Sequence, residues 1–332
     1  MKNAAKILLC LLLACCQQKP QALWQWHLQS RSYAVPIIDG DEVYVVSAAG
    51  EVISGEYKTG KRNWTKKLEA SIVAAPAVGP ASLFVATRDG ALFSLQKSTG
   101  RQQWNRSFPG DGFEAPLTVI GDQVIAPSVG GTLYAIDQDN GALRWSLPGN
   151  RKYNIGAVSD GSLLFIGGWD KTFFALRPDG SIAWQWKAPE AIVDGPLLYQ
   201  NLVCFATLNR FFIALEKASG RFAWRFETLN PAHPATLNKQ IAIASNSNVM
   251  MLDGSTGRMI RSFSEKSQIT DIQTGRNLYF FASNGLHQLD PSSGKVTVRH
   301  TSGEAFYRFA IVPPLAVVTD QLYSVFGISV EQ

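Results

Sequence analysis

Side chains that commonly build metal, redox and catalytic sites are scarce in this 332-residue sequence. It has four cysteines and four histidines, and the histidines stand singly at positions 27, 233, 287 and 300. No cysteine–histidine spacing typical of zinc is present, and the cysteines form no disulfide framework. No Ser/His/Asp set and no pair of carboxylates stands out as catalytic machinery. The sequence therefore predicts a protein that is not an enzyme and holds no metal and no cofactor.

Charge is also low and evenly spread. The chain has 31 Lys and Arg against 26 Asp and Glu, a formal net charge of +5, and it has no run of basic residues. Nucleic-acid binding is therefore not expected. Apolar residues make up 46% of the chain, which is ordinary for a soluble globular protein, and the length allows one large core or two modest ones.

Long apolar runs are missing except at the start, where "ILLCLLLA" follows the basic segment "MKNAAK". This run is too short for a lasting membrane span. It ends in "LLAC", which resembles the lipobox of bacterial lipoproteins. The resemblance implies a signal peptide at residues 1–14, an acylated Cys15 and a polar tether at residues 15–20. Cys16 rather than Asp comes next, which favours the periplasmic face of the outer membrane; an ordinary secretory signal containing a cysteine is the alternative.

A repeat with a period near 40 residues fills the rest of the chain. Its clear copies are "KTGKRNW", "STGRQQW", "DNGALRW", "PDGSIAW" and "ASGRFAW", in which a glycine is followed four residues later by tryptophan. Two weaker copies, at Gly257 and Gly294, have Arg261 and Val298 at the tryptophan position. Successive glycines are 40, 41, 39, 40, 37 and 37 residues apart, a regularity that indicates a repeat architecture.

Each copy has the texture of antiparallel strands. Short runs with alternating aliphatic and aromatic residues are separated by Asp-Gly or Ser/Thr-Gly turns, as in "SLFVATRDGALFSLQKSTGRQQW". With a further run upstream, each repeat supplies four strands, and no helical periodicity follows residue 20. Four strands in about 40 residues, repeated, predict the blades of a β-propeller.

The two ends of the chain complement each other. The opening "ALWQWHL" matches "AWQWK" at residues 183–187, the last strand of a repeat, yet no earlier strands precede it. Residues 308–330 supply three strand-like runs and then stop. We therefore predict an all-β fold over residues 21–332, an eight-bladed propeller whose last blade is closed by the N-terminal strand. Seven blades are the alternative, because the sixth and seventh copies are degenerate.

The recurring tryptophans are predicted to fill the gaps between neighbouring blades. These residues are Trp24, Trp64, Trp104, Trp145, Trp184 and Trp224. Because the sixth and seventh copies lack this ring, we expect less apolar burial there and faster amide exchange than in blades 2 to 5.

The repeat in "GGTLYAIDQDNGALRW" resembles the PQQ-like propeller repeat, and with the lipobox and the closure it resembles the BamB family of propeller lipoproteins. The resemblance implies a non-enzymatic scaffold in outer-membrane β-barrel assembly. The implied partners are the POTRA domains of BamA, other subunits of that machinery and unfolded outer-membrane proteins. It also implies partner contacts at Leu147, Arg151 and Asp194, although the family's arginine position holds Pro148 and Ile192 stands where a second Asp is expected. Ordinary blade packing for Leu147 and a strand-entry turn at Asp194-Gly195 remain alternatives.

Two other functions stay open. One is a lipid-anchored PQQ-repeat protein that binds a different envelope partner. The other is a quinoprotein dehydrogenase, a class that resembles this repeat but is much longer and carries an adjacent cysteine pair inside the domain. Here the adjacent pair, Cys15-Cys16, lies at the predicted lipidation site.

Overall fold

The protein is an eight-bladed β-propeller, as the sequence predicts. The computed structural model describes residues 22–149, 152–230, 232–282, 285–301 and 306–330. These residues form 32 strands in eight four-stranded antiparallel sheets, and the described part of the chain contains no helix. No described segment is therefore a helix that could cross a membrane. The seven-bladed alternative is wrong.

The first four blades follow the chain in order. Their strands are β2 Ile37–Asp39, β3 Glu42–Val46, β4 Glu51–Glu56 and β5 Arg62–Lys67 in blade 1; β6 Ala77–Val78, β7 Ser82–Ala86, β8 Ala91–Gln96 and β9 Gln102–Ser107 in blade 2; β10 Thr118–Ile120, β11 Gln123–Pro127, β12 Thr132–Asp137 and β13 Leu143–Pro148 in blade 3; β14 Val158–Ser159, β15 Leu164–Gly167, β16 Thr172–Leu176 and β17 Ile182–Lys187 in blade 4.

The last four blades continue this order, and the final one recruits the first strand of the chain. Their strands are β18 Ile192–Tyr199, β19 Leu202–Thr207, β20 Phe211–Glu216 and β21 Phe222–Glu227 in blade 5; β22 His233–Leu237, β23 Gln240–Ser245, β24 Asn248–Asp253 and β25 Met259–Ser264 in blade 6; β26 Ile269–Thr274, β27 Leu278–Ala282, β28 Gly285–Leu289 and β29 Val296–Thr301 in blade 7; β30 Phe306–Val312, β31 Leu315–Asp320, β32 Ser324–Ser329 and β1 Trp24–His27 in blade 8.

The core is divided into eight layers, one between each pair of neighbouring blades. Second strands such as β3 and β19 are buried almost along their whole length, because both faces of a blade pack on neighbours. Fourth strands such as β5 and β9 are mostly exposed, because they form the outer rim. Each apolar cluster accordingly joins the residues of two adjacent blades.

The ring closes through the N-terminal strand. Strand β1 pairs antiparallel with β32, with Trp24 opposite Gly327 and His27 opposite Ser324. One apolar cluster contains Trp24 and Trp26 together with residues of β31 and of blade 1. The hydroxyl of Tyr57 in blade 1 donates to the Leu315 carbonyl at 2.9 Å, so blade 8 is fastened to blade 1 by polar as well as apolar contacts.

The antiparallel order gives the ring two different faces. The crossovers from a fourth strand to the next blade lie on one face, together with the turns between second and third strands. We call this the crossover face. The turns between first and second strands and between third and fourth strands lie on the other, which we call the hairpin face. Residue 22 precedes β1 and therefore lies on the hairpin face.

Candidate functional site

The six predicted inter-blade tryptophans all lie against the turn glycine of the following blade. A Cβ atom on that glycine would approach the indole closer than 3.0 Å, and the glycine has positive φ, so no other residue fits. The pairs are Trp24–Gly60, Trp64–Gly100, Trp104–Gly141, Trp145–Gly180, Trp184–Gly220 and Trp224–Gly257. The glycine and the tryptophan of the repeat are therefore two sides of one contact between neighbouring blades.

Each indole also donates a hydrogen bond across the same boundary. The Nε1 of Trp64 donates to the Lys97 carbonyl at 2.6 Å, and that of Trp184 to the Lys217 carbonyl at 2.8 Å. The equivalent bonds of the remaining four rings reach Tyr57, Gln138, Pro178 and Gly254. The indole of one blade thus donates to a turn carbonyl of the next blade. The same tryptophan side chain provides both packing and a hydrogen bond across the boundary.

In blade 6 two residues together make the contacts that a single tryptophan makes in the earlier blades. Arg261, at the tryptophan position, donates through Nη1 to the carbonyls of Pro291 and Ser292, both at 2.8 Å. The ring of Phe263 lies against Gly294, where an indole lies in the earlier blades. The layer between blades 6 and 7 still contains twelve buried apolar residues, so the expectation of poor burial at that layer is wrong.

Blade 7 has no aromatic side chain at the tryptophan position, since blade 8 offers no turn between its third and fourth strands for an indole to pack against. In blade 8 the third strand, β32, ends at Ser329 and the fourth strand, β1, begins at Trp24, so no turn joins these two strands. Val298, at the tryptophan position, is therefore exposed. His300, further along β29, is buried, and the centroid of its ring lies 5.9 Å from that of Phe326 in blade 8. Phe326 packs into the layer between blades 7 and 8.

The three residues proposed for partner contact fall in different places. Leu147 lies in β13 opposite Leu133 and packs, half-buried, into the layer between blades 3 and 4. Arg151 lies outside the described residues. Asp194 lies at a bulge in β18 and accepts a hydrogen bond from the Gly195 amide at 2.6 Å. Its carboxylate faces the mouth of the central channel on the crossover face.

The channel mouth has a charged half formed by blades 5 to 8. Asp194 Oδ2 lies 2.5 Å from His233 Nδ1, and Asp271 and Arg308 follow on the next two blades. The hydrogen bond that His233 donates to the Asp194 carboxylate raises the pKa of His233 above its usual value despite burial. Burial raises the pKa of Asp271 to about 7, although Arg308 and His233 oppose the shift. Folding therefore favours the protonated form of both Asp271 and His233.

The opposite half of the mouth, formed by blades 1 to 4, is mainly apolar. The whole mouth encloses about 440 Å³. Its apolar wall consists of Tyr33, Val35, Val73, Pro116 and Ile155. Glu114 is the charged exception, and it is paired with Arg88 at 2.8 Å and with Lys152 at 2.5 Å. These ion pairs lower the pKa of Glu114, with the Lys152 bond as the largest cause. They also connect blades 2, 3 and 4 on the crossover face.

An exposed apolar patch lies on the crossover face of blades 4 and 5. It consists of Trp169, Leu208 and Leu229, which are 40%, 46% and 60% exposed. The backbone holds these residues in place: the Trp169 amide donates to the Lys152 carbonyl, and the Leu208 amide to the Ala191 carbonyl at 2.8 Å. Exposed apolar side chains grouped on a rigid surface are typical of protein interaction sites. We call this group the apolar patch.

Sequence reasoning missed the apolar patch, although a signal was present. The turn between the second and third strands carries Ala48 in blade 1, Arg88 in blade 2 and Val129 in blade 3. The same position holds Trp169 in blade 4 and Leu208 in blade 5, which are large apolar residues at turn tips. A smaller group on the far side of the ring, Leu322 and Tyr323 in blade 8, is also exposed.

Groups that could carry redox or metal chemistry are few in the described structure. Cys204 is fully buried, and burial raises the pKa of its thiol, which is therefore protonated at neutral pH. Within the described ranges no set of three or more His, Cys, Asp or Glu residues is arranged to hold a metal ion.

Comparisons with known proteins at the sequence level identify one family. The family model described as "Outer membrane protein assembly factor BamB" matches residues 14–155 and 150–325. A curated relative of that name from Burkholderia pseudomallei (strain K96243) is 27% identical over 138 residues, covering 42% of this chain and 36% of the relative. Another from Yersinia pestis is 26% identical over 162 residues, covering 45% and 40%. Each alignment therefore spans less than half of the relative's length.

Solved structures show how widely this fold is shared. The crystal structure of BamB from Moraxella catarrhalis superimposes with a TM-score of 0.81 at 18% identity, covering 93% of this chain and 99% of that one. Quinohemoprotein alcohol dehydrogenase from Comamonas testosteroni superimposes with a TM-score of 0.74 at 12% identity, covering 94% and 76%. At these identities the structures establish the propeller fold alone.

Proposed function

The chain belongs to the family of the outer membrane protein assembly factor BamB, and from this premise we propose that it is a non-enzymatic scaffold of the machinery that assembles outer-membrane β-barrels. In this proposal the protein binds the POTRA domains of BamA and assists the folding and insertion of unfolded outer-membrane proteins. An acyl chain on Cys15 anchors it to the periplasmic face of the outer membrane.

The observation that carries this proposal is the apolar patch beside the channel mouth. Trp169, Leu208 and Leu229 come from two rigid turns and one crossover, so a partner can bind them with little loss of backbone entropy. Lys171, paired with Glu190 at 3.0 Å, adds a polar border to the patch. An apolar centre with a polar rim is the usual anatomy of a protein–protein interface.

The patch revises the interface that the sequence suggested. Leu147 is committed to the layer between blades 3 and 4, so we assign it a structural role rather than partner contact. Asp194 stays a candidate, because its carboxylate lies in the channel mouth on the same crossover face as the patch. The proposed contact surface therefore comprises Trp169, Leu208 and Leu229 with Asp194 at its inner edge.

The non-enzymatic part of the proposal agrees with the chemistry of the channel. The acids and bases there are engaged with one another, as in the Asp194–His233 and Glu114–Lys152 pairs. A dehydrogenase would instead bind pyrroloquinoline quinone and become redox-active. We expect the purified protein, mixed with that quinone and calcium, to show no saturable absorbance change; a saturable change with substrate-dependent reduction would favour the enzyme.

A pull-down from detergent-solubilised envelopes tests the scaffold role. The tagged wild-type protein should recover BamA. The variants Trp169→Ser and Leu208→Ser should each reduce recovery at least tenfold, because truncating a central apolar contact costs about 2 kcal/mol. The matched control is Leu322→Ser, an exposed leucine in the equivalent turn of blade 8, which should recover BamA normally.

Two results would overturn the proposal in different ways. Absence of BamA from the wild-type eluate, with another envelope protein enriched, would assign the scaffold to a different partner. Equal recovery by the wild type and both patch variants would move the interface away from the apolar patch.

A further inference from the structure

A cleft opens on the hairpin face between blades 6 and 7, at the layer where Arg261 replaces the tryptophan. It encloses about 710 Å³. Leu237, Met251 and Ile260 supply an apolar floor, and Ile260 is 53% exposed. Phe263 and Arg261 share the role of the indole at this layer.

The rim of this cleft carries an excess of positive charge. Lys239, Arg261 and Arg276 line it, together with one carboxylate, Asp290. Asp290 accepts hydrogen bonds inside its own turn, from the Ser292 amide at 2.8 Å, the Ser292 hydroxyl at 2.6 Å and the Ser293 hydroxyl at 2.7 Å. Within the described structure, Lys239 Nζ and the Nε and Nη2 of Arg261 make no hydrogen bond or ion pair, so these donors of two cleft-lining residues are available to a ligand.

Clefts at the same position between other blades lack this excess. The cleft between blades 4 and 5 encloses about 690 Å³ and has acidic Asp160 and Glu216 in its lining. Its one cation, Lys217, lies 3.4 Å from Asp160 and is therefore paired. The cleft between blades 3 and 4 is smaller, about 320 Å³, and is partly filled by Trp145. Among these three clefts, the one between blades 6 and 7 has the largest excess of cations over carboxylates, with Lys239, Arg261 and Arg276 against Asp290.

We propose that the cleft between blades 6 and 7 binds the phosphate headgroup of an anionic phospholipid. A phosphate diester accepts hydrogen bonds from Arg261 and Lys239, and the first acyl carbons lie on Ile260 and Met251. This inference rests on the proposed lipid anchor. Residue 22 lies on the same hairpin face, and seven extended residues from Cys15 reach about 25 Å at most, so an anchor at Cys15 keeps the start of this face within that distance of the bilayer. The crossover face, with its apolar patch, then points away from the membrane.

The test uses the mature lipoprotein in a nonionic detergent, titrated with soluble dihexanoyl phosphatidylglycerol by calorimetry. We expect saturable binding of this lipid and none of dihexanoyl phosphatidylcholine. The double variant Lys239→Gln/Arg261→Gln should bind at least tenfold more weakly. The matched control Lys58→Gln/Arg101→Gln removes two cations from hairpin-face turns of blades 1 and 2, and it should bind within twofold of the wild type.

Two further variants separate lipid contact from loss of fold. Lys239→Gln alone removes a side chain with no described contact to blade 7, so it should weaken binding without lowering the melting temperature. Arg261→Lys keeps the cation and should bind more tightly than Arg261→Gln. Undiminished binding by the double variant, or equal binding of the phosphatidylcholine, would overturn the proposal. Displacement of the lipid by an equimolar acidic peptide would assign the cleft to a protein partner instead.

The outcome is independent of the scaffold proposal. The variant Lys239→Gln/Arg261→Gln should recover BamA as the wild type does, because the apolar patch lies on the opposite face. Loss of lipid binding with normal partner recovery supports the cleft, whereas failed partner recovery with normal lipid binding rejects only the scaffold role.

Discussion

Blades 1 to 4 and blades 5 to 8 solve the same packing problem with different regularity. The first four place a tryptophan on the next blade's turn glycine and line most of the channel mouth with apolar side chains. The last four retain one such tryptophan on an unbroken blade, Trp224, and put Asp194, His233, Asp271 and Arg308 in the channel wall. Both halves bury an apolar layer between each pair of neighbouring blades, so the fold does not require the regular pattern everywhere.

This difference shows which features are available for function. The repeated tryptophan–glycine contacts hold the propeller closed. Residues that differ from the repeat can therefore vary without disrupting the fold. The charged channel wall and the cleft beside Arg261 lie in the irregular half, and the apolar patch lies across the boundary between the halves. Departures from the repeat are therefore the places where binding surfaces are expected.

The largest expected effect is at the joint that closes the two halves into a ring. In Trp24→Ala/Trp26→Ala, the two rings lost lie 4.9 Å apart and hold blade 8 to blade 1. Truncating one buried aromatic side chain costs roughly 3–5 kcal/mol, and we expect the double variant to lower the free energy of unfolding by at least this much. Urea unfolding measures the loss. The control Trp169→Ala, on the exposed patch, should cost less than about 0.5 kcal/mol. Equal stability of the closure variant and the wild type would mean that β1 does not close the ring.

A smaller effect separates a regular layer from an irregular one. Trp104→Ala in the regular half should cost about 3 kcal/mol, because it removes both the contact with Gly141 and the hydrogen bond to the Gln138 carbonyl. Arg261→Ala should cost about 1 kcal/mol, because an exposed guanidinium loses two bonds while Phe263 stays packed. Urea midpoints check both; a larger loss for Arg261→Ala would reverse the comparison.

The charged wall of the irregular half should make stability depend on pH. The folded-state pKa of Asp271 is raised to about 7 and that of His233 is raised as well, so folding favours the protonated form of both groups. Their contribution is therefore greatest at low pH and is lost as the pH rises through these values. We expect the free energy of unfolding to fall between pH 5 and pH 8, roughly.

Asp271→Asn should flatten that decline, because it removes the group that must lose a proton in the channel wall. The control Asp41→Asn, at a carboxylate 87% exposed in its side chain, should keep the wild-type slope. A wild-type slope in Asp271→Asn would mean that the channel wall does not govern the pH dependence.

The smallest expected difference is in amide exchange. Because the layer between blades 6 and 7 is well buried, faster exchange should be confined to the outer strand β29, where Val298 is exposed, rather than extending through both blades. Hydrogen–deuterium exchange with peptide resolution measures this. Uniformly rapid exchange in β23, β24, β27 and β28 would restore the broader prediction made from the sequence.

The sequence was sufficient for the architecture because its strongest signals are local. Glycine at positive φ and tryptophan four residues later mark one turn and one strand, and their spacing counts the blades directly. The orphan Trp24 segment and the incomplete C-terminal repeat were enough to predict the closure. The same reasoning failed at Arg261, because the repeat shows which position has changed but not that Phe263 takes over the ring contact.

The candidate sites depend on contacts between blades, which the sequence does not list. Asp194 and His233 are 39 residues apart and meet only because the first strands of adjacent blades lie side by side. Trp169 and Leu208 are turn residues whose exposure depends on the neighbouring crossovers. Aligning the turn positions of the first five blades would have singled out Trp169 and Leu208, which are larger apolar residues than Ala48 or Val129.

In-cell photocrosslinking tests most directly the claim that the apolar patch is the docking site for BamA. A benzoylphenylalanine at Leu208 of the apolar patch should form an adduct with BamA. The same label at Ala48, which occupies the equivalent turn position in blade 1, should form none. Absence of a BamA adduct from position 208, or an equal adduct from position 48, would contradict the account.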